Sequence, residues 1–268
     1  MFMSWVAVVV SQGFAAWRRV KELYGTLVVP SQDEQELASS HFEELAEGFR
    51  FNTLFWQKTI NLFFHRSKWN VLVGETGSGK SYLLSKIATS MVLKNRSISM
   101  VQQEPYLFND TIQENIFLGK EVTSELHARA VELLKLFQLD SLAINIEEVL
   151  RLEVGENGKR LSGGQIKRVA LIRSLLSGAD VLIWDDPFSS VDIILERRII
   201  NKLKADPQLK NFTFIISSHR LTTVKLSDGV IFIDKEVGLR KQGTPVNILK
   251  EEDVAKFFKE QLVEIPLA

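Results

Sequence analysis

Cysteine is absent from this sequence, which excludes disulfide bridges, thiolate metal centres and cysteine nucleophiles together. A prevailing sign of charge is missing too: 33 basic residues face 33 acidic ones, so the formal net charge is zero and nothing in the total points to nucleic acid. No apolar run approaches the roughly 20 residues that a membrane-crossing helix needs. The longest near the start, Trp5 to Val10, falls far short. A signal peptide fits poorly, because no Lys or Arg precedes that run and Arg18 and Arg19 follow it. Internal repeats and low-complexity tracts are also lacking. With 268 residues, 45% hydrophobic and 25% charged, the chain is long enough for one large domain or a domain with an appendage.

What is present is organised around Gly74-Glu75-Thr76-Gly77-Ser78-Gly79-Lys80-Ser81, which fits G-x-x-x-x-G-K-[ST] at every fixed position. Trp69-Asn70-Val71-Leu72-Val73 before it reads as a buried strand, and Tyr82 to Ala88 after it reads as a helix start. Strand, glycine loop and helix are the context this phosphate-binding motif requires, and a chance glycine turn would leave that context unexplained. Gly77 and Gly79 let the backbone approach a polyphosphate, the helix start favours negative charge, and Lys80 adds a mobile point charge. Ser81 would offer its hydroxyl to Mg²⁺. A purine nucleoside triphosphate is the ligand expected.

Taken in order, residues 4–24 carry Val6, Val10, Gly13, Trp17, Val20 and Tyr24 at alternating steps of four and three, one face of a helix. Such a helix either packs on the domain or is the end of a transmembrane helix. Pro30 to Ser40 is polar and acidic, a linker, and the domain boundary is expected within residues 30–48. Residues 49–64 alternate and are rich in aromatic and β-branched types, predicting two antiparallel strands that form one edge of the nucleotide sheet. Ile98 to Val101 is a further strand. From Thr111 to Ser177 the pattern is helical, with Ser124 and Glu125 reading as an N-terminal cap. Near-continuous apolar runs at Val181 to Trp184, Phe212 to Ser217 and Val230 to Ile233 suit central strands covered on both faces. Glu251 to Val263 reads as a surface helix.

Leu161-Ser162-Gly163-Gly164-Gln165 opens a helix, and about twenty residues later an apolar strand ends in Asp185-Asp186. Together with the phosphate loop these make residues 49–250 resemble the nucleotide-binding domain of ATP-binding-cassette (ABC) proteins. The resemblance implies an α/β fold: a P-loop NTPase core with a mixed sheet, an antiparallel β edge and a helical subdomain inserted at about 111–178. Domains of 1–48 (helix and linker) and 49–268 follow. By the same resemblance ATP lies on Gly74 to Ser81 and Tyr82, with Trp56 against the adenine. Mg²⁺ is held by Ser81, Gln103 and Asp185. Asp186, Gln103 and His219 serve hydrolysis, and Ser189-Ser190-Val191-Asp192 is the D-loop. Ser162, Gly163, Gly164 and Gln165 form the signature that completes the site of a second copy, so ATP joins two domains and hydrolysis releases them.

Leu107 to Ile116 and Glu153-Val154-Gly155-Glu156-Asn157-Gly158 are similar to exporter wording, the latter to the loop that contacts a transmembrane domain. Arg18 to Leu23 resembles the stretch after an exporter's last membrane helix. Two departures stand out. The short segment Tyr82 to Gln102 and the phrase Asp185-Asp186-Pro187-Phe188 resemble the first nucleotide-binding domain of the multidrug-resistance-associated and cystic-fibrosis-channel branch. Asp186 stands where most active members have glutamate, which implies intact binding and slow hydrolysis. The expectation is an ATP-binding and hydrolysing subunit at the cytoplasmic side of a membrane. Its partners would be a second such domain, as homo- or heterodimer, and an exporter's transmembrane domain, with no nucleic acid. The rivals are a non-catalytic ATP-gated module, a soluble ABC ATPase and a small-molecule kinase; the kinase leaves the signature unexplained.

Overall fold

The structure, a computed structural model, describes residues 40–259. The chain divides into two compact units, residues 1–40 and 41–268, and all described residues but Ser40 belong to the second. The helix expected over residues 4–24 lies outside the described residues, as do the linker up to residue 39 and the end of the C-terminal helix beyond residue 259. Residues 41–48, grouped by sequence with the linker, contribute the first strand, β1 (His41–Leu45).

β1 pairs antiparallel with β2 (Gly48–Phe55), and β2 with β3 (Lys58–His65), as a three-stranded sheet. Phe49, Phe51, Thr53 and Phe55 are buried on β2 between partly exposed neighbours, and Ile60, Leu62 and Phe64 on β3, so the period of two leaves one apolar face. A sheet of that kind must stack on another layer, whereas strands of a parallel sheet are covered on both faces. The pair expected at the edge of the nucleotide sheet therefore builds a sheet of its own. Gln242 spans the gap: its side chain accepts from Phe63 N (3.1 Å) and donates to Phe63 O (2.8 Å), standing in for a strand partner.

The nucleotide sheet has six strands: β4 (Trp69–Val73), β5 (Ile98–Val101), β6 (Val181–Asp185), β7 (Thr213–Ser217), β8 (Gly229–Asp234) and β9 (Gly238–Gly243). Their order is β5-β6-β7-β4-β8-β9. All pair parallel except β9, which runs antiparallel to β8 and supplies the antiparallel edge. Each apolar run divides between two layers. Leu72, Val181, Ile183, Ile215, Ile231 and Ile233 pack with the three-stranded sheet and α1 (Lys80–Leu93). Val71, Val73, Leu182, Trp184, Phe214, Ile216 and Phe232 face the larger helical layer.

Between β5 and β6 run α2 (Ile112–Phe117), α3 (Ser124–Leu136), α4 (Ile146–Arg151) and α5 (Gly163–Leu175). After β6 come α6 (Ile193–Lys204), α7 (Leu221–Leu226), α8 (Pro245–Ile248) and α9 (Glu252–Phe257). The region expected as a surface helix does not lie wholly on the surface: Val254 and Phe258 are buried, and Phe257 packs 5.9 Å from Phe232. The cap of α3 also differs from expectation. Thr123, in extended conformation, accepts from Leu126 N through its hydroxyl, and Ser124 is already helical. Thr123→Ala is thus expected to cost about 1 kcal/mol in denaturant unfolding. Ser124→Ala should leave stability unchanged or slightly higher.

Candidate functional site

Parallel pairing brings the carboxyl ends of β4, β5, β6, β7 and β8 to one edge of the sheet, where open α/β sheets bind ligands. Residues 74–81 follow β4, and Gln102 and Gln103 follow β5, both exposed. Asp185 ends β6 with Asp186 next to it, and β7 ends at Ser217, two residues before His219. Four separate stretches of sequence meet there.

The loop after β4 can form only with glycine at two points. A Cβ at Gly74 would stand 2.3 Å from Ile233 O, and one at Gly79, whose φ is +91°, would stand 2.8 Å from the Phe55 ring. Ser78 N donates to Glu75 O (3.1 Å), closing the turn before α1. Lys80 reaches back and donates to Gly74 O (2.7 Å) and Glu75 O (2.9 Å). Burial pushes its pKa down, against the pull of Asp185 and Asp186. Glu75, Thr76, Ser81 and Tyr82 are exposed around this loop.

Trp56 and Gln57 make the turn between β2 and β3, with φ of 48° and 61°. Paired positive φ suits asparagine and glycine in tight hairpins, and is costly for a bulky side chain. The result is an indole presented at the loop: Trp56 is 48% exposed and its Nε1–H donates to Ser78 O at 3.0 Å.

Asp185 is buried, and Ser217 Oγ donates to its Oδ1 while accepting from Asp186 N. Asp186 is left-handed (φ +46°), and its buried Oδ1 has His219 Nδ1 at 3.4 Å. Burial opposes ionisation of Asp186, but His219, Lys167 and Arg220 together outweigh it and hold the pKa below the ordinary value. Lys167, a buried lysine on α5, donates to Asp186 O (3.1 Å) and Ser189 Oγ (2.7 Å). Sequence reasoning assigned no role to Ser217 or Lys167. A serine closing an apolar strand was legible, but a lysine buried on a helix carries no local signal.

Ser162 caps α5 by a reciprocal pair: its hydroxyl accepts from Gln165 N, and Gln165 Oε1 accepts from Ser162 N (2.8 Å). The hydroxyl proton remains available for an anion. Gly164 rests on Ser190, whose O a Cβ there would meet at 3.2 Å, while nothing lies within 4 Å of one at Gly163. The side-chain hydrogen bonds of Ser162 and Gln165 stay within this helix start. The two exporter-like phrases do meet. Ile112 N donates to Leu152 O and Val154 N to Asp110 O, both at 2.9 Å.

A nucleoside triphosphate with Mg²⁺ fits these groups. Ser78 Oγ is buried without a partner beside the glycine cradle, and the first turn of a helix such as α1 directs N–H groups at an anion. No cluster of three or more His, Asp and Glu that could hold a metal occurs among the described residues. Mg²⁺ commonly takes one or two carboxylates and completes its octahedron with phosphates and water, so Asp185 and Ser81 suit an ion that arrives with its nucleotide.

Known proteins resemble this chain in sequence and in fold. The sequence profile of the family described as ABC transporter matches residues 57–189. Multidrug resistance-like ATP-binding protein MdlA of Buchnera aphidicola subsp. Schizaphis graminum (strain Sg) is 28% identical over 277 residues, covering 94% of this chain and 46% of its own. Lactococcin-A transport/processing ATP-binding protein LcnC of Lactococcus lactis subsp. lactis is 30% identical over 272 residues, covering 91% of this chain and 36% of its own. The solved structure of a bacterial Atm1-family ABC exporter with ATP bound has a TM-score of 0.65 at 24% identity, covering 78% of this chain and 39% of its own. This chain spans less than half the length of each of the three. The described residues form an ATP-binding domain of the ABC transporter family, with the mixed α/β P-loop NTPase fold.

Proposed function

We propose that this chain is the ATP-binding and hydrolysing part of an exporter-type ABC transporter, acting at the cytoplasmic face of a membrane through a transmembrane partner. The observation that carries the reading is the convergence at one sheet edge of Lys80, Asp185, Asp186 and His219 from three strand ends. Bound ATP with Mg²⁺ supplies the phosphoryl group and the charge compensation for its transfer to water. Trp56 stacks on the adenine, residues 74–82 bind the phosphates, and Ser81, Gln103 and Asp185 hold the metal. Asp186 Oδ1 takes the proton of the attacking water, and His219, beside it, steadies the carboxylate and contacts the γ-phosphate.

Ser162, Gly163, Gly164 and Gln165, turned away from this chain's own loop, complete the site of a second domain. ATP then acts as the bond of a dimer, and hydrolysis opens it. Dimer opening and closing moves the transmembrane domain through the surface where residues 107–116 meet residues 152–158. Asp186 in place of glutamate makes turnover slow, so a heterodimer with a glutamate-bearing partner is part of the proposal. The short segment Tyr82 to Gln102 and the phrase Asp185-Asp186-Pro187-Phe188 favour the multidrug-resistance-associated and cystic-fibrosis-channel branch.

Sedimentation of the purified chain with and without ATP and Mg²⁺, with phosphate release read from the same samples, tests this. Dimers that need ATP and release phosphate slowly are expected; a monomer that binds no ATP would sink the reading. ATP-dependent dimers with no release at all would favour the second reading, a non-catalytic ATP-gated clamp, to which the short reach of Asp186 also points.

A further inference from the structure

A second lysine faces the phosphate loop. Lys235, in the turn between β8 and β9, sets Nζ 5.7 Å from the centroid of the Trp56 ring. The same Nζ lies 3.5 Å from where a Cβ would stand on Gly77, at the loop apex. Lys235 shares the wall of a cavity of about 900 Å³ with Glu75, Thr76 and Ser78. Three of the carboxylates nearby face Arg240, which pairs with Asp234, reaches Asp253 at 2.8 Å and lies 4.0 Å from Glu236. The ammonium of Lys235 meets the indole and the loop instead. Lys80 is differently placed, since its Nζ is bonded to the loop's own carbonyls.

We propose that Lys235 is a further nucleotide-binding residue of this site, one that makes affinity depend on the number of phosphates. The inference rests on the reading of Trp56 and residues 74–81 as the ATP site. An exposed cation on an indole is held more weakly than a stacked base, so the adenine takes the ring and displaces the ammonium. A lysine stem is long and flexible, and the displaced charge has the polyphosphate within reach at Gly77. An ATP polyphosphate attracts it more strongly than a monophosphate does, and adenosine offers it only competition for the ring. Lys235 thereby separates ATP from AMP and adenosine in a way that Trp56 alone cannot.

Calorimetric titration of the full chain with ATP, ADP, AMP and adenosine tests this in the wild type, Lys235→Met, Lys235→Glu and, as control, Lys80→Ala. Lys235→Met should weaken ATP about five- to tenfold, as expected for one partly screened ion pair to a multiply charged group. It should weaken AMP less, and leave adenosine unchanged or tighter. Lys235→Glu should weaken ATP further, and the differences should shrink at about 1 M salt, where the screening length is about 3 Å. Melting temperatures should match the wild type, since the side chain is exposed on a turn. ATP affinity within about twofold of wild type in both Lys235 variants, with binding weakened about tenfold or more in Lys80→Ala, overturns the role of Lys235 and leaves the ATP site standing. Equal losses for adenosine and ATP would also overturn it, because Lys235 would then act only by shaping the Trp56 turn. A wild type that binds no ATP overturns both.

Discussion

Exchange of Asp186 for glutamate is expected to raise the rate of ATP hydrolysis about 10- to 100-fold, with little change in ATP affinity. Reaction rates fall by about 10²-fold for a misplacement near 1 Å, and the extra methylene moves the carboxylate outward by about 1.5 Å. The surroundings of Asp186 already favour a working base. Its Oδ1 is buried beside His219, and neighbouring positive charge keeps the carboxyl ionised through the neutral range. Reach is therefore the property that aspartate lacks. The backbone opposes the exchange: φ is +46° at Asp186, and a short polar side chain that bonds locally tolerates this region better than glutamate does. A loss of up to about 1 kcal/mol of stability should accompany the gain in rate, seen as a melting temperature lower by about 2–4 °C. Phosphate release no faster than the wild type would show that a water or a shifted backbone already compensates for the missing methylene.

Replacement of Lys80 by alanine should weaken ATP binding about 10- to 100-fold, the range for loss of a hydrogen bond to a charged group. Two effects combine. The phosphates lose their charged donor, and Asp185 and Asp186 lose the cation that offsets them. The loop also loses the bonds from Nζ to Gly74 O and Glu75 O, so its shape in the absence of nucleotide should loosen. Lys80→Arg would not restore binding, since a planar fork cannot take the place of a compact ammonium under the loop. The overall fold should persist, because the hydrophobic layers on either face of the sheet do not involve this side chain. ATP affinity in Lys80→Ala within about threefold of the wild type, measured by calorimetry, would contradict this assignment of the phosphate site.

Much of the site can be read from the sequence because its signals are short-range. The loop after β4 needs glycine at positions 74 and 79 for reasons confined to a few neighbours, so the motif survives as a readable string. The cap at Ser162 with Gln165 is equally local, and both are found without knowing what packs above them. Even so, a local signal can slip by one residue. At α3 both Thr123 and Ser124 are able to cap, and the backbone conformation selects Thr123. The two strands over residues 48–65 are visible in their alternation, but not their sheet. Alternation tells how many faces of a strand are apolar and leaves open which layer covers that face. β9 was missed altogether, because Gly238-Leu239-Arg240-Lys241-Gln242-Gly243 is too polar to look like a strand and is held by its antiparallel bonds to β8.

By itself the sequence determined the order of strand, glycine loop and helix, the two signature constellations and the mixed α/β class, since each depends on residues close together in the chain. Only the tertiary structure decided that Ser217 joins Asp185 to Asp186, that Lys167 supports the turn after Asp186, and that Lys235 faces Trp56 and Gly77. These contacts join residues separated by 19 to 179 positions, from Lys167 with Asp186 to Lys235 with Trp56. Parallel strand pairing across the sheet and the packing of its layers bring such residues together, and spacing along a chain carries no record of that proximity.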